Sequence, residues 1–406
     1  MSAYLLDWLS LFGRWLHLVA GIAWIGSSFY FIWLDNHLVP PADPAIAARG
    51  VAGEVWAVHG GGFYNSHKYR LAPPSLPPSL HWFYWEAYAT FLSGLFLLCL
   101  LYYGQAEVYL IDPAVAALAK PAAIALGVAF LPAGWLVYHG LCRSPLGRNG
   151  RLLGAVLAIL LSAAAWALCH LFSGRGAYME FGALLGTIMV ANVFFVIIPG
   201  QRELVRAKLA GREPDPRHAI AGKQRSTHNT YFTLPVLFAM ISPHYAMTYG
   251  ARENWLVLIA ICAAGVCLRL YFVARHKAHE RNGRTSPLPA AVGLLTLAGV
   301  VLALMPGPRT GAGAAAAGLA ADGDFVRIQS IVAHRCSSCH SPKPTQPGFT
   351  AAPSGVLLDT PERILARTEQ MRQQIVTRAM PLGNVTGITE EERDAMLAWI
   401  EHGAPH

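Results

Sequence analysis

Residues 336–340 read Cys-Ser-Ser-Cys-His. Two thiols three positions apart, followed at once by an imidazole, can form two thioethers to a haem while His340 reaches its iron. Cys-x-x-Cys alone also serves redox dithiols and zinc, but zinc needs a second ligand pair and none follows at suitable spacing. Cys336 and Cys339 are therefore expected to hold one covalent haem c, with His340 on the iron. A soft sulfur on the opposite face raises the potential. Met380, in Arg-Ala-Met-Pro-Leu-Gly-Asn, is expected to supply it from a loop, since Met371 lies mid-helix and Met396 in an apolar stripe. The other five cysteines, Cys99, Cys142, Cys169, Cys262 and Cys267, sit in or beside apolar stretches and read as small hydrophobes.

These residues need a small helical scaffold, and 322–406 reads as a class I cytochrome c domain. Asp324 can cap a helix that carries Phe325, Ile328, Ile331 and Val332 on one face and delivers the chain to the cysteines. Thr389 and Glu392 have capping-box spacing. Met396, Trp399 and Ile400 follow as an apolar stripe that can pack on the first helix.

The remaining chain is membrane-like. Hydrophobic residues make up 54%, charged residues 13%, and mean hydropathy is +0.39. A soluble chain carries about 25% charged residues. About 20 apolar residues cross a bilayer as a helix. Eight stretches approach this: 9–34, 80–103, 121–141, 152–172, 178–200, 230–249, 253–274 and 288–305. The first lacks a basic n-region and cleavage site and reads as a retained span. The fold class expected is thus all-α, a polytopic bundle of about eight spans over 1–305. A Gly/Ala/Pro linker at 306–321 then leads to the tail.

The charge of +8 admits a nucleic-acid reading, but its distribution favours topology. Loops after spans one, three, five and seven hold 17 Lys and Arg; those after two, four and six hold 3. The basic loops are expected to be cytoplasmic, with both termini outside. Haem is attached to Cys-x-x-Cys-His on that outer side, so two independent features agree. The expected location is a bacterial inner membrane with the tail in the periplasm.

Polar groups inside hydrocarbon mark function. Arg14, His17, Gly21, Trp24 and Ser28 recur at helical spacing in span one and should face the bundle. His17, His170 and His244 fall toward the outer ends of spans and His81, His139 and His228 toward inner ends. Facing histidines hold b-type haem, which makes His17, His170 and His244 candidate haem b ligands; local hydrogen bonding is the commoner fate of such residues. The first inner loop offers three consecutive glycines with His59, His67, Lys68 and Arg70 as donors for an anion. Before span six, Lys223 and Arg225 read as topology charge, whereas His228 and Asn229 look like site material. Glu86, Glu180 and Asn192 are unexplained polar residues in spans.

The stretches LLDWLSLFGRWLHLVAGIAWIGSSFYFIWLDN, GGGFYNSHKYRLAPPSLPPSLHWFYWEAY and HNTYFTLPVLFAMISPHYA, followed by CSSCH, resemble the PuuD-type membrane urate hydroxylases along essentially the whole chain. The resemblance implies oxidation of urate to 5-hydroxyisourate in purine breakdown. Electrons would pass to the chain's own haem c and on to a soluble cytochrome or terminal oxidase, without hydrogen peroxide. Only Cys336, Cys339 and His340, with Met380 next, match at residue level. His17 followed by Ala-Gly-Ile-Ala-Trp-Ile-Gly is also similar to small membrane proteins that bind haem b. Urate is a planar monoanion, so its site needs cations or amide donors and an aromatic face. Electrons from a cytoplasmic site must cross about 30 Å of hydrocarbon, which argues for an intermediate carrier such as haem b. The alternative is a membrane-anchored cytochrome c subunit that takes electrons from quinol and has no urate chemistry.

Overall fold

The computed structural model describes residues 3–279, 283–305, 321–347, 349 and 351–405. Among the described residues, nine helices make the bundle, the fifth and sixth forming one continuous run. Helix α1 spans Ala3–Asn36. Helix α2 spans Trp85–Leu97 and continues as a π-helical turn, Leu98–Tyr103. Helices α3 (Lys120–Arg143) and α4 (Gly150–Leu171) follow. Helix α5 (Gly174–Asn192) runs through a π turn, Val193–Ile197, into α6 (Ile198–Leu209). Helices α7 (Pro216–Ile241), α8 (Asn254–His279) and α9 (Leu288–Ala303) complete the bundle. Side chains cap several starts. Asn149 accepts from Leu152 N, Ser173 from Gly176 N and Asp215 from Arg217 N, which satisfies backbone donors that have no intrahelical partner.

Six of these helical runs are long and apolar enough to cross a membrane: α1, α2 with its π turn, α3, α4, α5 through α6, and α8. The count differs from about eight for two physical reasons. Helix α9 has 16 residues, about 24 Å at 1.5 Å per residue, short of a bilayer core. Helix α7 starts fourteen residues before the expected span (Pro216 against 230) because Asp215 caps it and Pro216 takes its first position. Its first half is polar, and it is sheltered between α5 and α8.

The all-α expectation needs one correction. The first inner loop folds as an antiparallel hairpin, β1 (Val51–His59) and β2 (Gly62–Tyr69), with His59 opposite Gly62. Gly60 and Gly61 form its two-residue turn with φ of 57° and 80°, values that glycine tolerates and other residues resist. The glycine run is therefore a hairpin turn rather than a ligand cradle. Backbone bonds between Val39 and Glu54 tie the hairpin to the chain leaving α1.

The bundle core is centred on α5. Tyr178, Leu184 and Leu185 are fully buried there with Tyr138 of α3, Leu153 and Leu168 of α4, and Leu258 of α8. Helix α1 instead exposes Trp15, Leu18 and Ile22 along one side, the surface a bilayer would cover.

The expected linker 306–321 lies outside the described residues except Ala321. That residue opens α10 (Ala321–Arg335), so the helix begins ahead of Asp324, the cap expected for it. Helices α11 (Thr368–Val376) and α12 (Glu390–Glu401) complete the tail. Phe325 stacks on Trp399 with centroids 5.5 Å apart, and Ile328, Val332, Met371 and Met396 share that core. Thr389 Oγ1 accepts from Glu392 N, and the Glu392 carboxylate accepts from Thr389 N, a complete capping box. Arg335 of α10 donates to the same carboxylate at 3.0 Å.

Candidate active site at the inner end of the bundle

The end of the bundle that carries the basic loops is called inner. There α3 presents Trp135, Tyr138, His139 and Cys142, spaced i, i+3, i+4, i+7 on one face. Helix α7 presents Arg225, His228 and Asn229 by the same periodicity. Helix α5 contributes Asn192, the last residue before its π turn. Such turns accompany functional sites because the extra residue re-aims the helix face.

These three faces meet. Tyr138 Oη lies 2.8 Å from His228 Nδ1. Asn192 Nδ2 spends one proton on Tyr138 Oη and the other on Asn229 Oδ1, both at 3.0 Å. Asn229 Nδ2 donates in turn to the Met189 carbonyl at 3.0 Å. The amides are thereby locked, and Tyr138 and His228 are held as a pair.

Arg225 lies beside them, its guanidinium 5.0 Å from the Tyr138 ring centroid. It is 3% exposed, yet Nε and Nη1 have no partner. Among the described residues no carboxylate stands at ion-pair distance from it. Asn192 Oδ1, His139 Nδ1 and Trp135 Nε1 are also buried without partners. Burying a cation without a counter-charge costs several kcal/mol, and leaving polar groups unpaired adds to that cost. A planar anion between these helices would offset both: it would meet a guanidinium, amide and imidazole groups, and the indole of Trp135.

The structure separates the six candidate catalytic residues into two places. His228 and Asn229 belong to this cluster. His59, His67, Lys68 and Arg70 stand on the hairpin, and no hydrogen bond or ring contact among the described residues joins them to it. His67 Nε2 sits 3.5 Å from Glu54 Oε2, and Lys68 pairs with Asp35. His59 and Arg70 are exposed. Arg225 corrects the reading of it as topology charge: removing it leaves 16 basic residues against 3, so the charge asymmetry stands, but its side chain is inside the bundle. The Asp-Pro start at 215–216 was the available signal, because it places Arg225 on a helix instead of in a loop.

The candidate haem b histidines are not brought together. His17 Nδ1 lies 2.9 Å from the Thr90 carbonyl and 3.1 Å from Ser93 Oγ of α2, its ring filling the space over Gly94. His170 Nδ1 bonds the Trp166 carbonyl of its own helix at 2.8 Å and is exposed, as is His244. Arg14 is also exposed and bonds Ser10 Oγ, so the expected polar stripe of α1 turns inward only from His17 onward. Glu180 is fully buried in mid-bundle near Tyr103, with Gly127 leaving room for its carboxyl and neither oxygen paired.

In the tail, Cys336 directly follows α10, and Cys339 N and His340 N both bond the Cys336 carbonyl, winding the pentapeptide into one tight turn. His340 Nδ1 is 3.0 Å from the Val356 carbonyl. That bond fixes the ring and leaves Nε2 for a metal, the usual outer-shell arrangement of a ligating histidine. Burial pushes the Cys336 thiol up to about 12 and raises the Cys339 thiol too, so neither is a ready thiolate for dithiol chemistry. Met371 and Met396 are sealed in the tail's core. Met380 sits half-buried on a loop whose carbonyl accepts from Arg393 Nη1 at 2.9 Å. This donor set suits a covalent haem held by Cys336, Cys339 and His340, with Met380 as the free sulfur.

The family model described as urate oxidase N-terminal matches residues 3–305. No curated protein and no solved structure matches the chain. The family match covers the bundle and ends before the tail.

Proposed function

We propose a function from the premise that the chain belongs to the urate oxidase N-terminal family: it is a multi-pass membrane oxidoreductase that hydroxylates urate to 5-hydroxyisourate. The observation that carries this reading is the unpaired, buried Arg225 set among Tyr138, His228, Asn192 and Asn229. Urate monoanion and water give 5-hydroxyisourate, two electrons and one proton. Arg225 would neutralise the anion, its planar fork matching a ureide edge. Asn192 Oδ1 and His228 would fix the ring by hydrogen bonds. The Tyr138–His228 pair gives the released proton a route out of the site without stranding a charge in hydrocarbon.

The electrons leave for the tail, where Cys336, Cys339, His340 and Met380 would hold a haem c of raised potential. That group supplies one-electron chemistry and spares the reaction hydrogen peroxide; a soluble cytochrome or terminal oxidase is the onward acceptor. The path from the inner site calls for a carrier within the bundle. His17, His170 and His244 are not brought together to hold a b-type haem, so no step is assigned to one. The charge asymmetry of the loops supports a urate site on the cytoplasmic side and a tail on the opposite side, the periplasm if the membrane is a bacterial inner membrane.

Adding urate to the purified, oxidised protein without oxygen tests this. Reduction of the c-type absorption band, with 5-hydroxyisourate formed, is expected. Reduction by quinol but not by urate would instead establish an electron-transfer subunit.

A further inference from the structure

The tail rests on the outer end of the bundle, against the loop after α2 and the loop after α7. Both contacts are backbone to backbone and both depend on glycine. At Gly383, whose φ is 59°, a Cβ would fall on the Val108 carbonyl oxygen; at Gly250 it would fall on the Thr377 carbonyl oxygen. Only a residue without a side chain lets the two parts approach this closely. Asp112 of the bundle lines the same seam as Arg393 and Arg378 of the tail, whose positive charges favour its ionised form. A cavity of about 400 Å³ remains between the parts, lined by Tyr109, Asp112, Arg175 and Arg252 from the bundle and Arg378 and Arg393 from the tail.

The tail segments at this seam, Thr377–Arg378 and Gly383, flank Met380 on either side. We propose that the outer face formed by Val108–Asp112 and Tyr249–Arg252 is a docking surface for the Met380 loop, and that electrons from the bundle enter the tail through it. This rests on the function proposed above, in which urate supplies the electrons. Substrate oxidation at the inner end and reduction of the tail are then joined only while the loop is seated. Gly250 and Gly383 set how closely the two approach, and the positive charges of Arg393 and Arg378 around Asp112 bias the orientation. A soluble acceptor must take electrons from another face of the tail, because this one is covered.

Gly250→Ala tests the proposal from the bundle side, away from every residue assigned to the urate site or to the haem. In the full-length protein the rate at which urate reduces the c-type band is expected to fall more than tenfold. Reduction by ascorbate, which reaches the tail from solution, should be unchanged. Asp112→Arg, which sets a positive charge against Arg393 and Arg378, should slow urate-driven reduction likewise while leaving reduction by ascorbate unchanged, which a merely misfolded variant would not show. A rate within twofold of the unaltered protein in Gly250→Ala would overturn the proposal. Hydrogen exchange reads docking without urate: amides of 108–112 should lose protection in Gly250→Ala. If urate fails to reduce the unaltered protein but this protection is present and lost as expected, the functional reading has failed and the docking surface stands. If protection is absent from the start, the docking surface itself is refuted.

Discussion

Tyr138 and His228 are joined across α3 and α7, hydroxyl to Nδ1, at 2.8 Å. The hydroxyl oxygen accepts from Asn192, so its own proton is directed at His228 and the ring's remaining hydrogen is assigned to Nε2. Tyr138→Phe keeps the ring beneath Arg225 but strands the Asn192 donor and the His228 acceptor, at about 1–3 kcal/mol for each buried group. If the pair moves a proton during turnover, kcat for urate should fall roughly ten- to hundredfold, or about 1.4–2.7 kcal/mol. KM should move less. Steady-state kinetics and the pH profile decide it: an unaltered kcat and profile would remove Tyr138 from the mechanism.

Arg225 predicts opposite effects on stability and function. Its guanidinium is buried with two unpaired nitrogens, and replacing buried ionic groups by apolar ones of similar size often stabilises by about 1–4 kcal/mol. Arg225→Met should therefore raise the unfolding midpoint of the detergent-solubilised protein while abolishing urate binding. Arg225→Lys keeps the charge but loses the planar fork, and urate affinity should drop at least about tenfold, or 1.4 kcal/mol. Calorimetric titration with urate checks binding and a thermal melt checks stability. A variant that is less stable yet still binds urate would mean Arg225 is structural.

For the tail, the discriminating choice is among three methionines. Met371 and Met396 fill its core, whereas Met380 is half-buried on a loop. Met380→Leu should abolish the methionine–iron charge-transfer absorption of the oxidised protein and lower its potential, since the sulfur ligand is what raises it. Met371→Leu is close to volume-conserving and should leave the spectrum intact. Loss of the band in Met371→Leu alone would reassign the ligand.

What was legible in the sequence follows from how local each signal is. The Cys336–His340 turn, the Phe325–Val332 and Met396–Ile400 stripes and the Thr389 cap are each written within a few residues, and the structure shows the packing and capping they imply. His228 and Asn229 stood out as polar residues beside a span. Arg225 did not, because a basic residue ahead of a span looks like topology charge until Asp215 and Pro216 are recognised as a helix start. Asn192 stood out only as an unexplained polar residue in a span and Tyr138 carries no signal of its own; their meaning lies in a contact between α3, α5 and α7 that no single stretch encodes. The hairpin was legible in principle, since two glycines between β-branched and aromatic runs mark a two-residue turn, but histidines and basic residues beside that turn drew the reading toward a ligand loop.

The hairpin also gives a dependence on pH. Glu54 is buried where β1 meets the chain leaving α1, accepting from Asn65 Nδ2 at 3.0 Å and Ala42 N at 3.2 Å, with His67 nearby. The Asn65 side-chain bond, with help from Ala42 and His67, holds its carboxyl below the ordinary carboxylate range against the effect of burial. The folded hairpin therefore prefers the ionised form. Its contribution to stability is fully present above the unfolded value, about 4.3, and is lost as pH falls through the lowered folded value. Amides of 51–69 should exchange faster, after correction for intrinsic rates, as pH drops from about 5 toward 3, while those of α5 should not. Glu54→Gln replaces the titrating group, so its hairpin should be weaker at neutral pH and insensitive to acid over that range. If the variant kept the same acid dependence, another group would be titrating and the role given to Glu54 would be wrong.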